Sequence, residues 1–339
     1  MKVGVLQFFG WPDRRVPLAQ VYERALERIE IMDRGGYAAI WLAEHHFQSF
    51  SVCPSIHMMA TLVAARTRRL RIGTAVSLAA FYHPLRLAEE VALLDVLSGG
   101  RVNWGAGRGF HRQEFEVFGV PAEESAARFR EAVDIVLAAW SSERLSFTGR
   151  FHSFRDVEVL PKPLQRPHPP VWLAASSEES IRAAARGGFS ILMDPHSTHA
   201  EIGRKQALYR DALRGAGHDP ASREVPTARL VAIAETSARA AEIARRGARW
   251  LVDSYVNAQS MADAGKGTFL PFGEGDPVER YMNGVILHGT ADAVADQLAR
   301  LEEELPLRSL LLAPLSEETF RRFTDDVLPR CSTAEEQGA

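Results

Sequence analysis

Short solid runs of apolar residues alternate along this chain with longer stretches in which apolar positions recur every three or four residues. The first run, 3–8, ends at a Gly10-Trp11-Pro12 turn. The stretch that follows, 18–34, places Val21, Ala25, Ile29 and Met32 at the period of one helix face and stops at Gly35-Gly36. That couple repeats. Strands are predicted over 39–42, 70–78, 102–105, 170–174, 190–193, 228–234 and 309–313, and helices over 55–66, 84–97, 124–140, 178–186, 199–214, 238–251, 291–304 and 317–327. The 84–97 helix has Pro84 at its start and Gly99-Gly100 after its end, the usual asymmetry of helix termini.

Strand followed by helix, repeated through 339 residues, argues for parallel strands joined by crossover helices. Without a nucleotide fingerprint, the regular alternation predicts an α/β fold of the (β/α)8 TIM-barrel type rather than an open doubly wound sheet. Two segments interrupt the rhythm. The 141–170 segment holds two short aromatic runs, 145–147 and 151–154, around Gly149-Arg150, then a proline-rich passage; it reads as a hairpin insertion. The 255–285 segment is irregular and rich in Gly, Asn and Asp, and a loop of that length in a compact domain is usually functional, here as a lid at the barrel rim. The expected organisation is one domain over 1–330 with a polar tail at 331–339.

Composition narrows the function classes. Hydrophobic residues make up 46% of the chain, enough for a large core, and the net charge is −3 with both signs mixed. No basic stripe exists, so nucleic acid is not an expected partner. Cys53 and Cys331 lie far apart without metal-ligand spacing, which fits a reducing compartment and no disulfide framework. The opening Met-Lys-Val-Gly-Val-Leu lacks the apolar core of a signal peptide, and no apolar run reaches membrane-spanning length. A soluble cytoplasmic protein is expected.

The 39–42 run leads straight into Glu44, His45 and His46. Barrel enzymes present catalytic side chains in this way, at the carboxyl rim of the sheet; the alternative is a strand end whose Glu and His bond to loop backbone. Gly105-Ala106-Gly107-Arg108-Gly109-Phe110 follows the 102–105 run. Its glycines let backbone N–H groups approach an anion, and Arg108 adds a bidentate charge; the alternative is a tight turn with an exposed Arg. The third glycine falls one position short of the dinucleotide pattern. Ser176-Ser177-Glu178-Glu179-Ser180 opens a helix, where capping and phosphate binding both explain the serines. His-Glu-x-x-His and Gly-x-Ser-x-Gly are both missing, and Gln7-Phe8 stands where a His-x-His would end the first strand. No metal site and no serine hydrolase are expected.

Taken together, the ordered motifs resemble bacterial luciferase and the luciferase-like flavin monooxygenases. They are Trp41-Leu42-Ala43-Glu44-His45-His46-Phe47, Gly73-Thr74-Ala75-Val76, His83-Pro84-Leu85-Arg86-Leu87-Ala88-Glu89, Leu93-Leu94-Asp95, Ser98-Gly99-Gly100-Arg101, Gly107-Arg108-Gly109 and Phe115-Glu116-Val117-Phe118-Gly119. Asp253-Ser254-Tyr255-Val256-Asn257-Ala258 resembles a segment of the luciferase subunits themselves. The resemblance implies a barrel that binds FMN, reduced by a separate flavin reductase, with O2 as co-substrate. A C4a-peroxyflavin would then oxygenate a small organic substrate, an aldehyde or an aromatic or polyketide-like compound. It implies proton transfer by His45, with Glu44 close to the isoalloxazine, and Ala75 and Val76 forming a non-prolyl cis peptide against the ring. Arg108 and Gly109, and Ser176 with Ser177 and Ser180, fall at phosphate-binding positions. A homodimer is implied, with the 84–97 and 124–140 helices as candidate faces. Two rival readings keep the fold: hydride transfer with the deazaflavin F420, and a non-catalytic flavin-binding partner subunit. Departures fall at Gly107, where the light-emitting subunit carries a reactive cysteine, at His111, where tyrosine is expected, and at Asp194-Pro195-His196, which replaces an aromatic segment. Ala175 and Glu179 replace a carboxylate and a hydroxyl near the phosphate.

Overall fold

The computed structural model describes residues 1–256, 275–305 and 307–331. Its contacts gather into two compact units. One comprises Gln7–Arg34 and Ile40–Ala174; the other comprises Met1–Leu6, Gly35–Ala39 and the described residues from Ala175 onward. In chain order the elements begin β1 (Lys2–Gln7), α1 (Leu18–Arg34), β2 (Ala39–Leu42), α2 (Ile56–Arg66), β3 (Arg71–Thr74), β4 (Ser77–Leu78), α3 (Pro84–Ser98), β5 (Val102–Gly107), α4 (Arg112–Phe118) and α5 (Ser125–Ser141). They continue β6 (Leu145–Thr148), β7 (Ser153–Val157), β8 (Val171–Ala174), α6 (Glu178–Arg186), β9 (Ser190–Leu192), α7 (His199–Gly215), β10 (Thr227–Ile233) and α8 (Ser237–Val256). The last are α9 (Pro277–Gly284), β11 (Ile286–Gly289), α10 (Ala291–Glu304), β12 (Ser309–Pro314) and α11 (Glu317–Arg322).

In the unit that carries β2 through β8, β5 is the hub. It pairs in parallel with β3 (Ile72 opposite Val102), with β4 (Ser77 opposite Ala106) and with β8 (Trp104 opposite Val171). β2 is buried at all four positions, as a solid apolar run requires when a sheet is covered on both faces. Trp41 packs edge-on against Trp172 at 5.1 Å between ring centroids. A Cβ at Gly73 would overlap the Trp41 indole, so glycine is the residue that lets the two strands' contents fit. Arg101 ties the layers together, donating to the carbonyls of Ala64, Thr67, Leu70 and Ser98. The second unit repeats the parallel pattern. There β10 lies between β11 and β12, and β12 pairs with β1, Lys2 opposite Ser309.

This is the parallel α/β order that the alternating sequence predicts, with differences of physical interest. The 70–78 strand is divided into β3 and β4 at the Ala75–Val76 peptide, which is cis, as the resemblance implies. The second hairpin strand starts at Ser153 rather than 151, because the Glu131 carboxylate accepts the N–H groups of Arg150, Phe151 and His152 and so fixes the turn. The insertion is docked by buried Asp95, which accepts from the Gln165 backbone and side chain. The 255–285 segment is less irregular than expected: α8 runs to Val256, and Asp276 caps α9, which leads into β11. The expected lid falls largely on 257–274, outside the described residues. Among the described residues no helix is long and apolar enough to cross a membrane.

Candidate active site

β2 ends by placing three ionisable groups in succession. The Glu44 carboxylate, 2% exposed, has both oxygens engaged: Oε1 accepts from Tyr82 Oη–H at 2.9 Å and lies 3.0 Å from His46 Nε2, while Oε2 accepts the Leu78 N–H at 3.2 Å. Its geometry is that of a holder, fixing His46, Tyr82 and the start of the loop after β4. Burial and the Glu44 charge raise the Tyr82 phenol well above its ordinary range, so it remains a donor.

His45 is differently placed. It is 8% exposed and ringed by aromatic side chains: Phe50 at 5.3 Å, His111 at 5.6 Å, Phe110 at 6.0 Å and Phe8 stacked at 6.3 Å. Its backbone N–H is held by the Cys53 carbonyl at 3.3 Å. Nδ1 lies 3.4 Å from Gln48 Nε2 and 3.8 Å from Glu114 Oε1, and Nε2 has no hydrogen bond among the described residues. The ring is therefore anchored on one side and chemically open on the other. Burial alone would raise the Glu114 carboxyl, but His45, His111 and the His46 N–H outweigh it and hold the group below its usual range. Burial also pushes the Cys53 thiol up to about 12, helped by the Glu44 charge.

The His111 imidazole is pushed down to about 4 by burial, reinforced by the His45 charge. Unfolded, the same ring takes a proton near about 6.5. Between those values the unfolded chain holds more protons than the folded one, so stability falls as the pH drops through that window. The contribution is on the order of 3 kcal/mol over the span, at about 1.4 kcal/mol per pH unit. In His111→Gln, urea unfolding measured from pH 6.5 to 4 is expected to show an acid-side slope flatter by that amount; a slope equal to wild type would refute it.

Around the turn after β5, close-packed glycines flank one exposed guanidinium, an arrangement that fits an anionic group. A Cβ at Gly107 would overlap Val76 Cγ2, so this glycine leaves Val76 its place. Gly109 takes a φ of 84°, which glycine adopts without strain, and leaves room beside Phe81. Arg108, between them, is exposed and makes no hydrogen bond or ion pair among the described residues, so its guanidinium is available for an anion. In the second unit Ser177 caps α6 and exchanges hydrogen bonds with Ser180, while Ser176 precedes the cap. The Asp194-Pro195-His196 departure forms its own buried network there, with Asp194 bonded to Lys205 Nζ at 3.0 Å and His196 Nδ1 2.8 Å from Tyr281 Oη.

Glu44, His45, Ala75, Val76, Arg108 and Gly109 thus belong to one unit, and Ser176, Ser177 and Ser180 to the other. Glu114, Gln48 and Tyr82 were not singled out from sequence. Glu114 rides on α4, seven residues bracketed by His111 and by Gly119 at a φ of 67°. That glycine, after Phe118, is the one local signal that could have marked the helix, which is not among those predicted from the sequence.

The sequence pattern of the luciferase-like monooxygenases matches residues 1–307. This chain belongs to that family. Among relatives of this luciferase-like chain is the oxygenase component of a flavin-dependent trigonelline monooxygenase from Acinetobacter baylyi, 35% identical over 57% of this chain and 54% of that protein. The chain thus spans about half that relative's length. An alkanal monooxygenase alpha chain of Photorhabdus luminescens is 28% identical over 72% of this chain and 68% of its own. The solved monooxygenase RslO1 from Streptomyces bottropensis is 28% identical and superposes with a TM-score of 0.83, covering 98% of this chain and all of that one. At 19% and 17% identity, two further structures share the fold: the oxygenating constituent of 3,6-diketocamphane monooxygenase with FMN (TM-score 0.80) and an F420-dependent secondary alcohol dehydrogenase (0.78). The fold class is the luciferase-like TIM-barrel α/β fold.

Proposed function

We propose that this protein is the oxygenase component of a two-component flavin-dependent monooxygenase, using O2 and FMN reduced by a separate flavin reductase. The observation that carries the reading is His45: enclosed by rings, anchored at Nδ1 beside a low-pKa Glu114, and open at Nε2. Bound reduced FMN would supply the activation of O2 at its C4a position. The chain's own residues do the rest. Val76 and Ala75 would lie against the flavin ring, and Arg108 would take the phosphate as a bidentate donor. Ser176, Ser177 and Ser180, at the α6 N-terminus, stand where backbone N–H groups and the helix dipole favour an anion. Glu44 keeps its neighbours in place, and His45 gives or takes a proton at Nε2, a task that suits a histidine at neutral pH. The aromatic ring around His45 excludes water. Aldehydes and N-methylpyridinium carboxylates, the substrates that the relatives' names point to, are the first compounds to assay.

A homodimer accompanies this reading. Met58 and Leu62 on α2, with Leu93, Val96 and Leu97 on α3, expose apolar side chains, whereas α5, the other helix considered from sequence, shows none. Light scattering of the purified protein checks the doubled mass.

The test is anaerobic titration with reduced FMN, then rapid mixing with O2. Tight binding followed by a flavin oxidation slower than in free solution is expected. In Arg108→Ala the affinity for FMN should fall about tenfold or more while that for riboflavin, which lacks the phosphate, stays put, as loss of a charge-assisted pair predicts. No binding of reduced FMN, with binding of F420 instead, would replace oxygenation by hydride transfer.

A further inference from the structure

One buried polar chain has no part in the function proposed above. On α3, Arg86 donates through Nε to Glu90 Oε1 at 2.6 Å; Glu90 Oε2 lies 3.0 Å from His57 Nδ1, and His57 Nε2 lies 3.0 Å from Ser77 Oγ. Arg86 reaches solvent, whereas His57, in the first turn of α2, is 5% exposed and Ser77, at the start of β4, is 0% exposed. All four residues belong to the same unit as His45.

The carboxylate fixes the direction of the bonds made to it. The hydrogen bond from His57 holds Glu90 below the usual carboxylate range, against burial and with Arg86 assisting. An ionised Glu90 accepts only, so His57 Nδ1 carries a proton, and the bond between His57 Nε2 and the Ser77 hydroxyl can run with either atom as donor. Carboxylate, imidazole and hydroxyl in this order activate nucleophilic serines elsewhere. Ser77 is sealed from any substrate, so here the order has a mechanical use. His57 is the one hydrogen-bond partner of the Ser77 hydroxyl among the described residues, and it fixes that side chain's place.

What Ser77 carries is the point. Before it stands Val76, whose Cγ2 occupies the space over Gly107. After it stands Leu78, whose N–H is given to Glu44. Tyr82, the hydroxyl donor to Glu44, lays its ring 5.5 Å from that of His57. Two of the three groups that hold Glu44 are therefore reached through residues in contact with His57 or joined to Ser77.

We propose that Glu90 and His57 are positioning residues for the flavin site, acting through Ser77 and Tyr82 to set where Val76, Leu78 and Glu44 stand. The inference rests on the reading that this segment faces reduced FMN. Two measurements on the full-length protein separate the two claims. The first is hydrogen exchange of the Leu78 amide without flavin; the second is affinity for reduced FMN together with the absorption spectrum of the bound flavin. Ser77→Ala, which removes one atom, and His57→Leu are each expected to speed Leu78 exchange about tenfold or more, by local opening, while amides of α5 stay protected. FMN affinity should fall in parallel with a shifted spectrum, and the double variant should be no worse than the worse single one, since the links act in series. Ser77→Thr, which keeps the hydroxyl, should restore both readouts, and Glu90→Ala, which takes away the acceptor of His57 Nδ1, should speed Leu78 exchange and weaken FMN binding as Ser77→Ala and His57→Leu do. Faster exchange with unchanged FMN affinity and spectrum overturns the positioning role, and so does a loss of protection spread evenly over the molecule. A wild type that binds no reduced FMN overturns the flavin reading instead, and the exchange data alone then decide whether the brace holds Leu78.

Discussion

His45→Ala is expected to lower product formed per FMN oxidised by about 10²–10⁴-fold, the usual span for loss of a general acid or base, with affinity for reduced FMN close to wild type. The ring sits in an aromatic enclosure that keeps its shape from Phe8, Phe50, Phe110 and His111, so a methyl in its place leaves the walls standing. Cofactor contacts are assigned to other residues, above all Arg108, which keeps binding and proton transfer separable. Glu114 is the internal control. Losing it frees His45 Nδ1 of its carboxylate and should shift the pH dependence of turnover without removing the base. Product yield follows from chromatography of the reaction mixture, and the missing oxygen should appear as hydrogen peroxide. A variant that loses FMN affinity to the same degree as activity would make His45 a binding residue and sink the assignment.

The second large effect is expected from the addition of one methyl group. Gly107→Ala would drive a Cβ into Val76 Cγ2, with the Ala174 Cβ only 3.3 Å away on the other side. Overpacking of a filled site costs about 1–3 kcal/mol and shifts the backbone, and here the shift falls on the Val76 segment and on the turn that presents Arg108. Reduced FMN should bind at least about tenfold more weakly, the equivalent of about 1.4 kcal/mol, and the melting temperature should drop. Adding Val76→Ala removes the colliding methyl and should recover much of both losses. If Gly107→Ala alone binds FMN as wild type does, the close fit between β5 and Val76 has no bearing on the cofactor.

The same two positions show what was legible in the sequence. The run into Glu44, His45 and His46 could be read because an unbroken apolar run from Ala38 to Ala43 followed by three ionisable residues admits few arrangements. The long helices were legible from period and punctuation, as with Pro84 and Gly99 around α3. Glu114 was not, since nothing local separates a buried glutamate from its exposed neighbour Glu116, which pairs with Arg112 at the surface of the same short helix. The partner that Glu114 accepts from is the backbone N–H of His46, 68 positions away in sequence. β11 was lost for a like reason: Ile286, Leu287 and His288 make a strand only because β10 lies alongside. Ser77 and His57 carried no signal at all, because a serine and a histidine 20 positions apart become partners only once α2 lies over the sheet.

Cys53 closes the picture. If the chain holds reduced flavin and O2 together, as proposed, a cycle that fails to couple would release hydrogen peroxide close to Cys53, whose carbonyl accepts the His45 N–H. Peroxide attacks the thiolate and not the thiol. With the Cys53 thiol pushed up to about 12 by burial and by Glu44, the reactive form is scarce at neutral pH. Burial, and the Glu44 charge with it, keep this thiol protonated, so under the proposed function the carboxylate that steadies the site would also help to spare this sulfur from the protein's own by-product.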